Sequence, residues 1–301
     1  MHDLTKPENA TPLLFSSSLL AHTRTMPSVS VFDTQSVHPQ STPLLDTFAT
    51  IKFQSPFVDP PRLPNGFSEL DIDSSANIRA KSVIDKITKE SAEYHITTWE
   101  DSKIRTGIIN SLDLAPADMD FLTGEHMRDL LADPNAPNTT RITFERPFKT
   151  PPKVVTFFNW IDFDNNMNYR LNTSAIDIDT KGFTLVINTW SDTLLNAAQA
   201  GWIAYPEDRE HIFSASVNTQ VVYPWDSPQP TQSKSITFGD VEFCEAPKVF
   251  VALNEFDIGA GHDFRLKAYV EDVTKSGLTW HIDTWDNSVL FSAGATLIAI
   301  N

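Results

Sequence analysis

The stretch Phe144-Glu-Arg-Pro-Phe148-Lys-Thr-Pro151-Pro152-Lys-Val154 decides the fold, because the chain contains it three times. Upstream, Phe53-Gln-Ser-Pro-Phe57-Val-Asp-Pro60-Pro61-Arg-Leu63 has the same layout, and downstream Phe238 through Phe243-Cys-Glu-Ala-Pro247-Lys-Val249 repeats its frame. The offsets are 91 and then 94 residues. A second signature keeps step with the first: Asp71, Arg79 and Trp99, then Asp162, Arg170 and Trp190, then Asp257, Arg265 and Trp285. In every copy the Arg follows the Asp by 8 residues and the Trp follows the Arg by 20. Self-similarity at a fixed period is the mark of a repeat architecture, and a period near 90 is too long for common solenoids and matches one small β-sandwich.

Inside a copy the periodicity is two. Phe183, Leu185 and Ile187 alternate with Thr184, Val186 and Asn188, and Leu278, Trp280 and Ile282 alternate with Thr279, His281 and Asp283. Alternation of this kind is a half-buried strand. The arginine segments alternate too, with Tyr169, Leu171 and Thr173 opposing Arg170, Asn172 and Ser174. Helical periodicity is absent except for a candidate turn at Ser191–Ala200, and the prolines stand where strands are entered and no ladder donor is needed. The fold class is therefore all-β. The organisation reads as a tail over residues 1–28 and repeats over 29–115, 116–207 and 208–301.

Composition narrows the function. The 301 residues carry 39 acidic and 23 basic side chains, a formal charge of −16, so the long-range field repels phosphate backbones and anionic lipid surfaces. Nucleic acid and membrane insertion are not expected partners. No stretch approaches the roughly 18 apolar residues that cross a bilayer. Lys6 stands between Asp3 and Glu8, and the apolar stretch over residues 12–21 is broken by three serines, unlike the basic start and unbroken core of a signal peptide, so a cytoplasmic location is expected, with secretion or release as the alternative. One cysteine, Cys244, excludes an intrachain disulfide framework and reads as a small buried hydrophobe. The eight histidines show no metal-ligand spacing, and no nucleophile elbow or phosphate loop is present, so neither a metal nor a cofactor is expected.

The repeated Asp, Arg and Trp have a structural reading and a binding one. The Trp ends a strand ahead of small polar residues (Trp99-Glu-Asp-Ser, Trp190-Ser-Asp-Thr, Trp285-Asp-Asn-Ser) and packs under a loop or forms a platform. The Asp makes a turn or partners the Arg across a hairpin. Together they offer an aromatic face, a carboxylate acceptor and a guanidinium donor, the three chemistries a sugar ring engages. Acidic pairs such as Asp71/Asp73 and Asp162/Asp164 invite a glycoside hydrolase reading, but the third copy has Gly259 in place of the second acid.

These residues make the unit resemble the H-type lectin domain. The second copy carries Ile142-Thr-Phe144, Pro151-Pro-Lys-Val154, Ile161-Asp162, Asn168-Tyr-Arg170, Gly182-Phe183 and Thr189-Trp190, and the third carries Ile236-Thr-Phe238, Phe256-Asp257, Phe264-Arg265 and Thr284-Trp285. The first keeps Phe53, Pro60-Pro61, Leu70-Asp71, Asn77-Ile-Arg79 and Thr98-Trp99. The resemblance implies three tandem six-stranded antiparallel β-sandwiches arranged as an intrachain pseudo-trimer. It implies a non-catalytic, multivalent lectin for glycans or glycoproteins ending in galactose or N-acetylgalactosamine. The site residues it carries over are Asp133, Arg170, Trp190, Ser191 and Asn196 in the second copy. In the third they are Asp226, Arg265, Trp285, Asp286 and Phe291; in the first, Arg79, Trp99, Glu100 and Arg105, with Ser41 in place of the loop acid. The alternatives are a structural or protein-interaction module on the same scaffold and, third, a glycoside hydrolase.

Overall fold

The computed structural model describes residues 27–301, so the expected tail lies almost wholly outside the described residues. The strands fall into three sets of six. The first set is β1 (Ser28–Asp33), β2 (Asp46–Lys52), β3 (Asn65–Ile72), β4 (Ile78–Asp85), β5 (Ser91–Thr97) and β6 (Ile104–Asp113). The second is β7 (Leu122–Asp129), β8 (Thr139–Thr143), β9 (Lys153–Phe163), β10 (Tyr169–Asp179), β11 (Gly182–Asn188) and β12 (Leu195–Tyr205). The third is β13 (Ile212–Asn218), β14 (Thr231–Thr237), β15 (Lys248–Ile258), β16 (Phe264–Glu271), β17 (Gly277–Asp283) and β18 (Leu290–Ile300). The fold is all-β, with two three-residue 3-10 turns as the helical content of the described residues.

The hydrogen-bonded sheets do not coincide with the repeats. Three antiparallel six-stranded sheets run β2-β5-β4-β9-β12-β7, β13-β18-β15-β10-β11-β8 and β1-β6-β3-β16-β17-β14. Each repeat thus gives three strands to one sheet and three to another, and packs its two halves face to face as a sandwich. Every sheet carries a seam in its middle where two repeats pair: β4 with β9, β10 with β15, and β16 with β3. The three seams close a ring.

Apolar side chains fill both the sandwiches and the axis of that ring. Phe158, Phe163, Tyr169, Phe256 and Phe264 come from two repeats and meet edge to face with ring centroids 5.1–5.9 Å apart. Such contacts add about 0.5–1.5 kcal/mol each beyond burial. In a separate cluster, Phe157 on the other face of β9 meets Phe250 at 5.1 Å. There Gly66 has no room for a side chain, since a Cβ would lie 2.8 Å from both Ala252 Cβ and Phe157 Cδ2.

Two local readings are corrected. Ser191–Ala200 is a turn followed by strand β12, because from Leu195 onward the backbone is laddered to β9 on one side and to β7 on the other. Cys244 is exposed, since its neighbour Phe243 takes the inward position.

Candidate functional site: three seams between repeats

Each seam is built from one register. Arg79 stands opposite Asp162, Arg170 opposite Asp257 and Arg265 opposite Asp71. The arginine Nε atoms lie 3.6, 3.2 and 3.5 Å from the carboxylates. The Asp therefore partners an Arg as one sequence reading held, but across a boundary between repeats and not within a hairpin. Burial raises the carboxyl pKa of Asp71, Asp162 and Asp257, and the facing guanidiniums hold it down in part.

The Trp loops are fastened to the same arginine strands in the same way each time. Thr98, Thr189 and Thr284, which precede the tryptophans, donate from Oγ1 to the carbonyls of Arg79, Arg170 and Arg265 at 2.7–2.8 Å. Ser102, Thr193 and Ser288, three residues after them, donate to the carbonyls of Asn77, Asn168 and Asp263 at 2.5 Å. They also accept from the arginine Nη1 at 3.2–3.4 Å. These hydroxyls hold the guanidinium beside the half-buried Trp, and their repetition after each Trp was the sequence signal for them. Between them Glu100, Ser191 and Asp286 adopt left-handed backbone, φ 56°, 59° and 53°.

The sixth residue after each Trp is a bulge. Arg105, Asn196 and Phe291 are skipped in the ladders of β6 with β3, β12 with β9 and β18 with β15, beside Asp71, Asp162 and Asp257 respectively. A bulge re-aims its side chain. Arg105 Nη1 and Asn196 Nδ2 reach their Asp at 3.0 Å. The sequence grouping is corrected here: Asn196 sits with Arg79 of the first repeat, Phe291 with Arg170 of the second, and Arg105 with Arg265 of the third.

The loop acids do not join these groups. Asp133 is exposed and accepts from the Asn135 amide of its own turn at 2.9 Å, and no contact between exposed Asp226 and Arg265 is present among the described residues. The carboxylates that meet the arginines come instead from the Trp turns, from the facing strand and, in the third repeat, from Asp263 just before β16. Arg79 binds Glu100 at 2.7 Å and Asp101 at 2.9 Å, and Arg170 binds Asp192 at 2.5 Å. Arg265 binds Asp263 at 2.6 Å and approaches Asp286 at 3.6 Å. Exposed Ser191 makes no side-chain hydrogen bond among the described residues, and exposed Ser41 offers no acid to its seam.

The seams differ in what they leave open. In the first, Trp99 meets Trp160 edge to face at 5.6 Å and Lys81 Nζ lies 4.4 Å above Trp160. In the second, Nη2 of Arg170 has no hydrogen-bond partner among the described residues, and Asp257 Oδ1 is buried without a hydrogen bond. Phe291 closes that seam beside Gly259. In the third, Arg105 bridges Asp71, Asp73 and Asp263.

Away from the seams, donor atoms of Asp85, Glu93 and His95 lie within 4.8 Å of one another on β4 and β5. The Lys86 ammonium already sits 2.5 Å from Glu93, so a cation of the protein's own pairs with one of the two carboxylates.

A ring of three sandwich repeats with a Trp, an Arg and an Asp on every seam defines a single-chain trimer of a β-sandwich domain. The chain belongs to the H-type lectin domain family, which it matches over residues 48–110, 139–205 and 233–300. The class is carbohydrate-binding. No curated protein matches the chain.

Proposed function

We propose that this protein is a non-catalytic, multivalent lectin that takes terminal galactose-type sugars, N-acetylgalactosamine among them, at its seams. The observation that carries the reading is the second seam, where the Nη2 edge of Arg170 has no hydrogen-bond partner among the described residues and Asp257 Oδ1, ion-paired to Arg170 Nε at 3.2 Å, accepts no hydrogen bond. Half-buried Trp190 and Phe291 border the same place. A pyranose fits that set: hydroxyls bridge the guanidinium and the carboxylate, and the C–H face lies on an aromatic ring.

A non-catalytic reading is favoured by the chemistry of the seams. Glycoside hydrolysis uses one carboxylic acid and one free carboxylate across the bond. Here the same Asp recurs on three seams, each paired with a guanidinium across the seam. An individual shallow site of this kind binds at roughly millimolar to micromolar strength, and joining sites in one rigid ring raises avidity on a glycan-coated surface by about a hundredfold or more. An exposed thiol at Cys244 is consistent with a reducing, cytoplasmic location.

The test is a broad glycan array with free galactose and N-acetylgalactosamine as competitors, run on the parent chain and on Trp190→Ala. Competed binding to galactose-terminated glycans that falls at least about tenfold in the variant supports the reading, because stacking on an aromatic ring carries much of a sugar's affinity. A blank array from folded protein overturns it.

A further inference from the structure

Repeats one and two, and repeats two and three, are joined by short connections at 114–121 and 206–211. Repeats three and one are not consecutive in the chain, so their seam is closed by non-covalent contacts alone. It is also the seam with the most charge. Across it run Arg265 to Asp71 at 3.5 Å, Lys267 to Glu69 at 2.9 Å and Arg105 to Asp263 at 2.8 Å. At the strand pairing of each of the other two seams one ion pair crosses among the described residues, Arg79 to Asp162 and Arg170 to Asp257, while Arg209 of the third repeat binds Asp118 and Asp120 of the second beside the covalent connection and away from the paired strands.

Arg105 is central to the difference. Its Nη1 donates to Asp71 and Asp263 and its Nη2 to Asp73 at 2.6 Å. The residue it reaches in the neighbouring repeat is itself a departure: Asp263 occupies the place held by Asn77 and Asn168 in the other repeats, identified by the hydroxyl that each carbonyl accepts. Asp263 Oδ1 accepts from the amide and hydroxyl of Ser74, and Oδ2 accepts from Arg105 and Arg265. The Arg and the Asp appear together, on opposite sides of one seam.

We infer that Arg105 is an ionic latch that closes the ring between the first and third repeats and withdraws that seam from sugar binding, leaving two saccharide seams per chain. The second half of this inference rests on the proposed function. Charge-assisted hydrogen bonds are roughly twice as strong as neutral ones, so a sugar hydroxyl does not displace the guanidinium from Asp71 or Asp263. At the same bulge position, Asn196 is neutral and Phe291 apolar, and neither fills its seam with charge.

Two measurements on the full chain test it. Amide hydrogen exchange compares the parent with Arg105→Asn, the residue type found at Asn196. The latch predicts exchange about tenfold faster in β3 and β16, with β10 and β15 unchanged, and a difference that shrinks between about 0.1 M and about 1 M salt. Native mass spectrometry with saturating galactose counts sugars. Two bound per chain are expected, one lost in Trp190→Ala and none in Trp285→Ala. Three bound, or a count lowered by Trp285→Ala, overturns the inference. If no sugar binds at all, the proposed function falls and the exchange result alone decides the latch, with unchanged exchange in β3 and β16 overturning it.

Discussion

Arg170 Nε lies 3.2 Å from Asp257 Oδ1, and the two residues stand directly opposite on strands that belong to different repeats. The same relationship recurs at the other seams, so the pair that positions the binding groups also joins the repeats. Both side chains are about one-seventh exposed, which leaves solvent to screen part of their attraction.

Removing Arg170 is expected to cost more than the pair contributes, because the largely buried Asp257 carboxylate is left without its guanidinium. A double-mutant cycle with Arg170→Ala and Asp257→Ala, followed by chemical denaturation, should give a coupling of about 1–2 kcal/mol. Its pH dependence has a definite sign. Burial raises Asp257 above 3.8, and without Arg170 nothing opposes that rise. A folded-state pKa above the unfolded one favours folding below the unfolded value and loses that advantage as pH rises through the folded value. The deficit of Arg170→Ala should therefore be largest near neutrality and fade toward the ordinary carboxylate range; a deficit constant with pH would contradict the geometry.

At the axis the repeats solve one packing problem with three different residues. Gly66, Phe157 and Ala252 converge there, a large ring fitting into space left by a glycine and an alanine. A single chain permits this, since each position can carry its own side chain, whereas identical subunits would bring three copies of one residue together. Gly66→Ala places a methyl 2.8 Å from two neighbours and should lower stability by about 1–3 kcal/mol. Phe157→Ala should cost about 3–5 kcal/mol through a cavity. The double variant should recover part of the sum, because the added methyl enters vacated space; strict additivity in thermal denaturation would argue against convergence on the axis.

Much of this was legible in the sequence, for a physical reason. The Phe and Pro boxes and the Asp, Arg and Trp spacing align the chain with itself, and period-two alternation then makes every unit a set of strands. The partners of those strands were not legible. Nothing in a single copy's order says that Asp71 pairs with Arg265 at the far end of the chain rather than with Arg79 eight residues on. For the same reason Arg105, Asn196 and Phe291 were grouped with the arginines of their own copies. The strand at Leu195 was hidden by Ala197, Ala198 and Ala200, whose helix propensity yields to the ladders they form with β9 and β7. The tail over residues 1–28 lies almost wholly outside the described residues.

Asp113 offers a second titration, independent of the seams. Its carboxylate is buried, accepts from Ser30 Oγ at 2.6 Å and Ser111 Oγ at 2.7 Å, and is pushed by burial up to about 6 from an ordinary 3.8. Stability from this group is present at low pH and lost as pH rises through about 6. Asp113→Asn is isosteric, and both serine hydroxyls can turn to meet an amide. The variant should be more stable than the parent by about 1–3 kcal/mol at pH 8 and indistinguishable near pH 4, as read by urea denaturation. Equal destabilisation at both pH values would show that the carboxylate is required by its serine partners.

The residue after each Trp separates a structural demand from a binding one. Glu100 and Asp286 approach arginines, whereas Ser191 makes no side-chain hydrogen bond among the described residues yet holds φ at 59°. A left-handed backbone costs an L-residue about 1 kcal/mol, which glycine avoids. Ser191→Gly is therefore expected to raise stability by about 0.5–1 kcal/mol, less the extra entropy glycine brings to the unfolded chain. Ser191→Val should lower it, since a branched side chain tolerates that conformation least. The informative comparison is with glycan binding. The turn keeps Trp190 and Thr193 in place through its backbone, so Ser191→Gly should bind as the parent does. A loss of affinity in a variant with raised stability would instead show that the Ser191 hydroxyl itself touches sugar.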